Sequence, residues 1–264
     1  MVGLIDGSVL VTGATGGIGQ AIARAFAQRG ASLILSGRRS EVLEPLAREL
    51  GAEAIVCDLA DRAEVERLIA QASEVDVLVA NAALPGTGAL TDFTQEQLDR
   101  TLEVNLRAPI ALARGLAPQM IRRGAGHLAF ISSLNGRVAS PLSSVYSATK
   151  FGLRGFALGI RQDLRPHGVG VTVVMPGFIS DAGLFADAGV KLPPGVGTRS
   201  PAEVAAALIR AIERNRSEVD VAPLGLRLGA TIAGVAPGLA ASVTRLAGGE
   251  RIASQLATGQ RSKR

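Results

Sequence analysis

Residues 9–19 read VLVTGATGGIG, an apolar run that ends at Thr12–Gly13 and passes through Gly17, Ile18 and Gly19 into a segment of helical period over 17–29. Glycines at such a turn keep side chains from standing between the backbone and a pyrophosphate, and the unbonded N–H groups at the helix start carry positive partial charge. A glycine-rich turn alone could equally be a tight structural corner. Its place directly after a first strand and before an amphipathic helix favours dinucleotide binding.

Outward from that turn the same alternation repeats. Strand-length apolar runs SVLVTG (8–13), ASLILSG (31–37), EAIVCD (53–58), VDVLVAN (75–81), GHLAFISS (126–133), GVTVVMPG (170–177) and EVDVAP (218–223) are separated by helical segments over 17–29, 41–50, 62–72, 95–123, 144–166 and 201–215. Because the runs are apolar throughout, both faces of the sheet they form must be covered. This predicts an α/β doubly wound three-layer sandwich on a seven-stranded parallel sheet. With 264 residues the chain suits one domain over 1–264, since a single core stops growing at about 250–300 residues. Within it, 181–200, rich in Gly, Pro and apolar side chains, reads as a substrate lid, and 222–264 as a C-terminal extension.

Composition narrows the function. Hydrophobic residues make up 47% and aromatics 3%, ample for an aliphatic core and poor for stacking nucleobases. The net charge is +5, but all of the 28 basic residues except Lys150, Lys191 and Lys263 are arginine, mixed with acids save in the tail RSKR. That is a compositional bias rather than a binding stripe, and no nucleic-acid partner is expected. Cys57 is the only cysteine and the chain opens MVGLIDGS without a basic, apolar and small-residue leader pattern, so a cytoplasmic, reducing location is expected. One cysteine with the separated His127 and His167 cannot assemble a zinc set, and no metal is expected. Both histidines read as surface or helix-end residues.

Tyr146, the only tyrosine, lies four residues before Lys150 in YSATK, so on a helix the two share a face. A cation beside a phenol favours the phenolate, and together with an oxidised nicotinamide it would bring the phenol toward a working general acid/base. An exposed Tyr–Lys pair is the plain alternative. Ser133 falls at the end of the fifth strand, where open α/β sheets bind ligands. With no histidine near it in the pattern, Ser133 would donate a hydrogen bond to a substrate oxygen rather than attack.

The spacing Thr12-Gly13-x-x-x-Gly17-x-Gly19 resembles that of the short-chain dehydrogenase/reductase family, a Rossmann-type group. ISSLNG (131–136) with Ser133 thirteen positions before Tyr146, YSATK (146–150), VANAA (79–83) with Ala83 for the usual Gly, EVNL (103–106) and MPGF (175–178) resemble its other motifs in order. The resemblance implies an oxidoreductase interconverting a carbonyl and a secondary alcohol, with Asn105, Ser133, Tyr146 and Lys150 at the catalytic centre and Asn105 holding a water that links Lys150 to solvent. Asn105 could instead be a solvent-facing helix residue. The cofactor would lie along Gly13, Thr15, Gly17, Ile18, Gly19, Arg38, Arg39, Asp58, Leu59, Asn81, Ala82, Ala83, Tyr146, Lys150, Pro176, Gly177 and Ile179, with Asp58 at the adenine amino group and Asn81 near the adenosine ribose. After the second strand Gly37 stands where NAD-specific enzymes carry an acid, and Arg38 and Arg39 follow. Guanidinium groups there suit a 2′-phosphate, so NADP(H) is favoured over NAD(H), with Arg38 the better candidate. A non-catalytic NADP-binding redox sensor or scaffold on the same fold is the alternative.

The substrate is expected to be a small, lipophilic carbonyl or alcohol against Ser133, Leu134, Leu142, Tyr146, Phe178, Leu184 and Phe185, although these apolar residues could be plain core. Ser180 and Asp181 compete for the place of the family's threonine after Pro176–Gly177. No charge occurs from Leu228 to Thr244, yet Pro237 and several glycines interrupt the run, which disfavours a membrane span. A flap over the substrate mouth, an oligomer contact, and a weak membrane-surface contact through 222–246 aided by Arg227 and Arg245 all remain open. Family members pair the helices at 95–123 and 144–166 across a two-fold axis, and Leu102, Leu106, Ile110, Phe151, Leu158 and Leu164 would supply apolar surface for a homodimer or homotetramer.

Overall fold

Alternate residues of β1 (Ser8–Thr12) face opposite layers, and both sets are apolar: Leu10 packs into one core, Val9 and Val11 into the other. The same division holds in β4 (Val77–Ala80), with Leu78 and Ala80 on one side and Val77 and Val79 on the other. The strands therefore lie in the middle layer, as the uninterrupted apolar runs predict. A computed structural model describes residues 5–181, 183–190, 192, 196–236, 238 and 249–260. Residues 182, 191 and 193–195 of the expected lid, 237 and 239–248 of the extension, with Arg245, and the basic tail 261–264 lie outside the described residues.

The other strands are β2 (Ser32–Gly37), β3 (Glu53–Val56), β5 (Gly126–Ile131), β6 (Val169–Pro176) and β7 (Glu218–Val221), all parallel in the order β3-β2-β1-β4-β5-β6-β7. α1 (Gly17–Ala27), α2 (Ser40–Leu50) and α7 (Pro201–Glu213) cover one face through Ile22, Phe26, Leu43, Leu46, Leu208 and Ile212. α3 (Arg62–Gln71), α4 (Gln95–Leu102), α5 (Ala108–Arg123) and α6 (Ser144–Leu164) lie on the opposite side, where Leu68, Leu112, Leu116, Leu153 and Ala157 fill the core. The chain runs outward from β1 through β2 to β3, then returns and runs the other way from β4, so the crevice between the carboxyl ends of β1 and β4 is the switch point at which such sheets bind ligands.

The helix expected over 95–123 is interrupted. Residues Glu103–Arg107 form a π-helical turn in which the Ala108 N–H reaches the Glu103 carbonyl. Pro109 has no N–H to offer the carbonyl four residues back, that of Asn105, which opens the α-helical ladder there. α8 (Leu224–Val235) and α9 (Gly249–Gln260) follow β7. α8 leaves Leu224, Leu228, Ile232 and Val235 exposed, and no helix among the described residues is long and apolar enough to cross a membrane. Of the apolar positions assigned to a helix pairing, Leu102 and Phe151 are exposed, whereas Leu164 is buried in the core. Its place at the end of α6, against the sheet, removes it from that list.

His127 is fully buried on β5, not at the surface. Its Nε2 meets Thr172 Oγ1 at 2.8 Å, and because that hydroxyl donates to the Arg216 carbonyl, the ring must be the donor. Nδ1 is buried with no hydrogen-bond partner, so a proton there would be an unsatisfied charge, and burial together with the nearby Arg161 pushes the imidazole down to about 3. Between pH 6.5 and 3 the unfolded chain binds the proton and the folded chain does not, so stability falls as pH falls through that window. Urea unfolding from pH 7 to pH 4 should show His127→Leu with a shallower acid loss than the wild type, by up to about 1.4 kcal/mol per pH unit; parallel slopes would refute the assignment.

Candidate active site

The glycine loop after β1 is built around contacts too close for a side chain. A Cβ on Gly13, whose φ is +64°, would lie 2.7 Å from Ala82 Cα, and one on Gly19 would lie 2.2 Å from the Gly13 carbonyl oxygen. The loop is braced from β4. Thr12 Oγ1 accepts from the N–H groups of Asn81 (3.1 Å) and Ala82 (3.3 Å), and the Asn81 amide donates to the carbonyls of Thr12 (3.0 Å) and Gly13 (3.2 Å). α1 has no side-chain cap and no acid in its first turn. The Gly16 N–H bonds to Gly13 and that of Gln20 to Gly16, while the N–H groups of Gly17, Ile18 and Gly19 find no acceptor among the described residues. Three free donors on a positive helix end, beside a loop that admits no Cβ, fit a pyrophosphate.

This loop opens into a cleft of about 1300 Å³ that crosses the carboxyl edge of the sheet. Every residue expected along the cofactor, from Gly13 to Ile179, borders it. The structure adds detail at three places. Asn81 spends its amide N–H groups on the glycine loop and acts there as a brace. Asp58 accepts from Arg100 Nη2 at 2.6 Å and from the Ala60 N–H at 3.0 Å; although burial opposes it, these bonds and the charges of Arg100 and Arg38 hold its carboxyl below the usual range. Arg39 Nη2 donates to the Thr15 carbonyl at 2.7 Å, whereas Arg38 borders the cleft without an ion pair or side-chain hydrogen bond among the described residues. Gly37 also has a packing reason, since a Cβ there would meet Thr15 Cγ2 at 2.8 Å.

At the far side of the switch point stand Ser133, Tyr146 and Lys150. Ser133 is extended (φ −165°, ψ 164°), and its Oγ accepts from the Asn135 N–H, starting the turn Leu134–Gly136. Gly136 lets that turn sit on α6, since a Cβ would fall 2.7 Å from Ser132 Oγ and 2.8 Å from the Lys150 carbonyl. Tyr146 begins α6 with its N–H on the Gly86 carbonyl. Lys150 is 2% exposed; its Nζ lies 5.5 Å from the Tyr146 ring centre and donates to the Ile131 carbonyl at 3.0 Å. Burial dominates both groups. It pushes the phenol up to about 12, against the opposing hydrogen bond from Ser133, and the ammonium down to about 8. The lysine alone therefore does not lower the tyrosine, because its proton is aimed at a carbonyl and the phenolate is desolvated.

Two expected residues lie off the cleft. Asn105 is fully buried in the π-helical turn, where Oδ1 accepts from the Leu84 N–H (2.7 Å) and Nδ2 donates to the Leu84 carbonyl (2.8 Å). It fixes the irregular chain after β4 behind Tyr146, and is not a solvent-facing helix residue. Leu142, with φ +53°, turns its carbonyl onto the Gly88 N–H at 2.6 Å and does not border the cleft. Leu134, Phe178, Leu184 and Phe185 do, with the rings of Phe178 and Phe185 4.9 Å apart. Asp181 borders the cleft and accepts from Ser180 Oγ at 2.8 Å. Residues that the sequence did not single out complete the walls: Arg100 at the nucleotide end, and Leu226, Ala230, Ile232 and Ala233 of α8 with Leu256 and Gln260 of α9 at the other. Only the Asn105–Pro109 spacing carried a readable signal; Arg100 and the α9 residues reach the cleft by tertiary packing.

Residues 8–189 match the family model for short chain dehydrogenase. The chain belongs to the short-chain dehydrogenase/reductase family. It is 34% identical over 253 residues to Bos taurus dehydrogenase/reductase SDR family member 7B, covering 88% of this chain and 78% of that protein, and 34% identical over 230 residues to the ketoacyl reductase HetN of Nostoc, covering 84% and 80%. In three dimensions it is similar to a short-chain dehydrogenase from Sphingobium yanoikuyae in complex with NADPH, with a TM-score of 0.77 and 28% identity over 88% of this chain and 94% of that one. The protein is thus an oxidoreductase of CH–OH/C=O groups that binds a nicotinamide cofactor and a small-molecule substrate.

The buried ammonium makes one consequence measurable. With a folded value near 8 and an unfolded value of 10.5, Lys150 between those limits is charged in the unfolded chain and neutral in the folded one, so its burial weakens the fold below pH 8 and this penalty fades as pH rises to 10.5. Lys150→Met should therefore gain stability relative to the wild type at pH 7, on the order of 1–3 kcal/mol, and the gain should vanish by pH 10.5. Cys57 and Tyr146 titrate in both proteins and largely cancel in the difference. A pH-independent difference in urea unfolding would count against the assignment.

Proposed function

We propose that this chain is an NADP(H)-dependent reductase/dehydrogenase that interconverts a lipophilic ketone or aldehyde and the corresponding alcohol, with Tyr146 as the general acid/base. The observation that carries this reading is the gathering of Ser133, Tyr146 and Lys150 at one point of a cleft whose two ends differ in chemistry. One end holds free backbone N–H groups and Arg38; the other is walled by Leu134, Phe178, Leu184, Phe185 and the apolar faces of α8 and α9. The relative named a ketoacyl reductase and the neighbour with NADPH support the same reading.

When bound, the nicotinamide supplies or accepts the hydride. The chain's own part is to hold the substrate oxygen and to move one proton. Ser133 Oγ accepts from the Asn135 N–H, and its own hydrogen turns from the Tyr146 oxygen to the substrate oxygen and orients it. Tyr146, kept protonated by burial, gives its phenolic proton to the oxygen in the direction of reduction and recovers one in the direction of oxidation. Lys150 places a positive charge beside the ring and favours whichever state carries the phenolate. Asn105 acts one step removed, by fixing the backbone of Leu84 behind the tyrosine. Arg38 is free to take a 2′-phosphate, while Arg39 is committed to Thr15. A homodimer or homotetramer through α4 to α6 would cover the exposed Leu102 and Phe151.

Tyr146→Phe should lower turnover of apolar ketones by about 10²–10⁴-fold with NADPH affinity changed no more than a few-fold, as read by NADPH fluorescence. Retained turnover would remove Tyr146 as proton donor, whereas a wild type that binds NADPH and turns over no ketone would favour the sensor or scaffold reading. Separately, Arg38→Ala should raise KM for NADPH by about 10- to 100-fold, as loss of one charge-assisted phosphate contact requires, and leave KM for NADH near its original value. Equal effects on the two cofactors would refute the assignment of Arg38.

A further inference from the structure

The carboxyl-terminal helix lies outside the 8–189 family match, yet it reaches the substrate end of the cleft. Leu256 and Gln260, one helical turn apart on α9, both border it. Gln260 is only 4% exposed and Thr87, on the loop after β4, only 6%. The Thr87 hydroxyl donates a short hydrogen bond to Gln260 Oε1, and Gln260 Nε2 donates to the Leu184 carbonyl at 2.8 Å. A carbonyl only accepts, so the amide orientation is fixed by Leu184 and the hydroxyl adapts to it. Beside this pair, Gly259 lies against the short turn Ala186–Ala188, so closely that a Cβ would fall 2.6 Å from the Ala188 carbonyl oxygen. One buried amide thus joins three parts of the chain that are far apart in sequence: α9, the loop behind Tyr146 and the segment 183–190 that carries Leu184 and Phe185.

We propose that Gln260 is a specificity-determining residue of the substrate cleft. Resting on the reading above that the substrate is a lipophilic carbonyl compound, the amide clasps α9 and 183–190 together and so presents Leu256, Leu184 and Phe185 as one continuous apolar wall. A short ketone is held by Ser133 and Tyr146 and does not need that wall; a long alkyl chain does. The clasp requires both halves of an amide. Leucine offers neither bond, and a carboxylate can accept from Thr87 but opposes the Leu184 carbonyl.

Hydrogen–deuterium exchange and steady-state kinetics on the full chain test this with Gln260→Leu and Gln260→Glu against wild type, using 2-butanone and 2-dodecanone. In both variants, exchange at the amides of 184–190 should accelerate about tenfold or more. NADPH affinity should stay within about two-fold, which also reports an intact fold. The preference for 2-dodecanone over 2-butanone should fall about tenfold or more through KM rather than kcat, since each buried methylene contributes about 0.8 kcal/mol. Unchanged exchange at 184–190, or an equal loss for the two ketones, overturns the clasp. If the wild type turns over neither ketone, the proposed reaction fails by itself and the exchange comparison decides the clasp alone.

Discussion

The carboxyl ends of β1 and β4 are held together by hydrogen bonds across a gap that admits no side chain, and the cleft depends on that junction. Four bonds that involve Thr12 or Asn81 cross between the two strand ends, and Gly13 sits so close to Ala82 that its Cβ would overlap the backbone. The strand order reverses here, so the helices that follow β1 and β4 leave on opposite faces and nothing fills the crevice between them. With the loop fixed, the first N–H groups of α1 point at one place. Preorganised donors of this kind bind an anion without paying to order a flexible loop.

The second constraint is electrostatic and runs against stability. Lys150 is charged at neutral pH yet 2% exposed, and its ammonium donates to the Ile131 carbonyl. Such a group survives because its neighbours hold it in place: Gly136 brings the Ser133 turn onto α6, and Asn105 locks Leu84 through both halves of its amide. Burial that weakens the fold strengthens the charge where it is used, because a positive charge beside a phenol counts for more in a low dielectric than in water.

The sheet and the nucleotide half of the cleft were legible because each is set by local chemistry. A glycine that must sit at positive φ, an apolar run covered on both faces, and a Tyr and Lys four residues apart on one helix all announce themselves within a few positions. Asn105 shows the boundary of such reading. Its penalty inside a helix was visible, and Pro109 four residues later explains the open turn, but its partner Leu84 is known only from the fold. Leu142 had the right character and neighbourhood for a substrate wall, yet a left-handed backbone sends its carbonyl to Gly88 instead. His127 was placed at the correct end of β5 and judged by its type; the sheet's two covered faces, already evident from the apolar runs, are what bury it.

The substrate half was not legible for a reason that follows from its construction. At the nucleotide end the cleft presents backbone N–H groups and the Arg38 guanidinium, which demand particular residues at particular turns. At the other end it uses apolar area contributed by α8, α9 and 183–190, where Leu, Ile, Phe and Ala serve nearly interchangeably and no spacing marks them. Polar atoms that must match there include those joining Gln260 to Thr87 and Leu184, and they connect positions 173 and 76 residues apart. The glycine loop, Ser133, Tyr146 and Lys150 are thus anchored at the edge of the sheet, and the apolar walls in the segments laid across it. The walls can change shape without disturbing Ser133, Tyr146 or Lys150, because no hydrogen bond of the clasp touches any of the three.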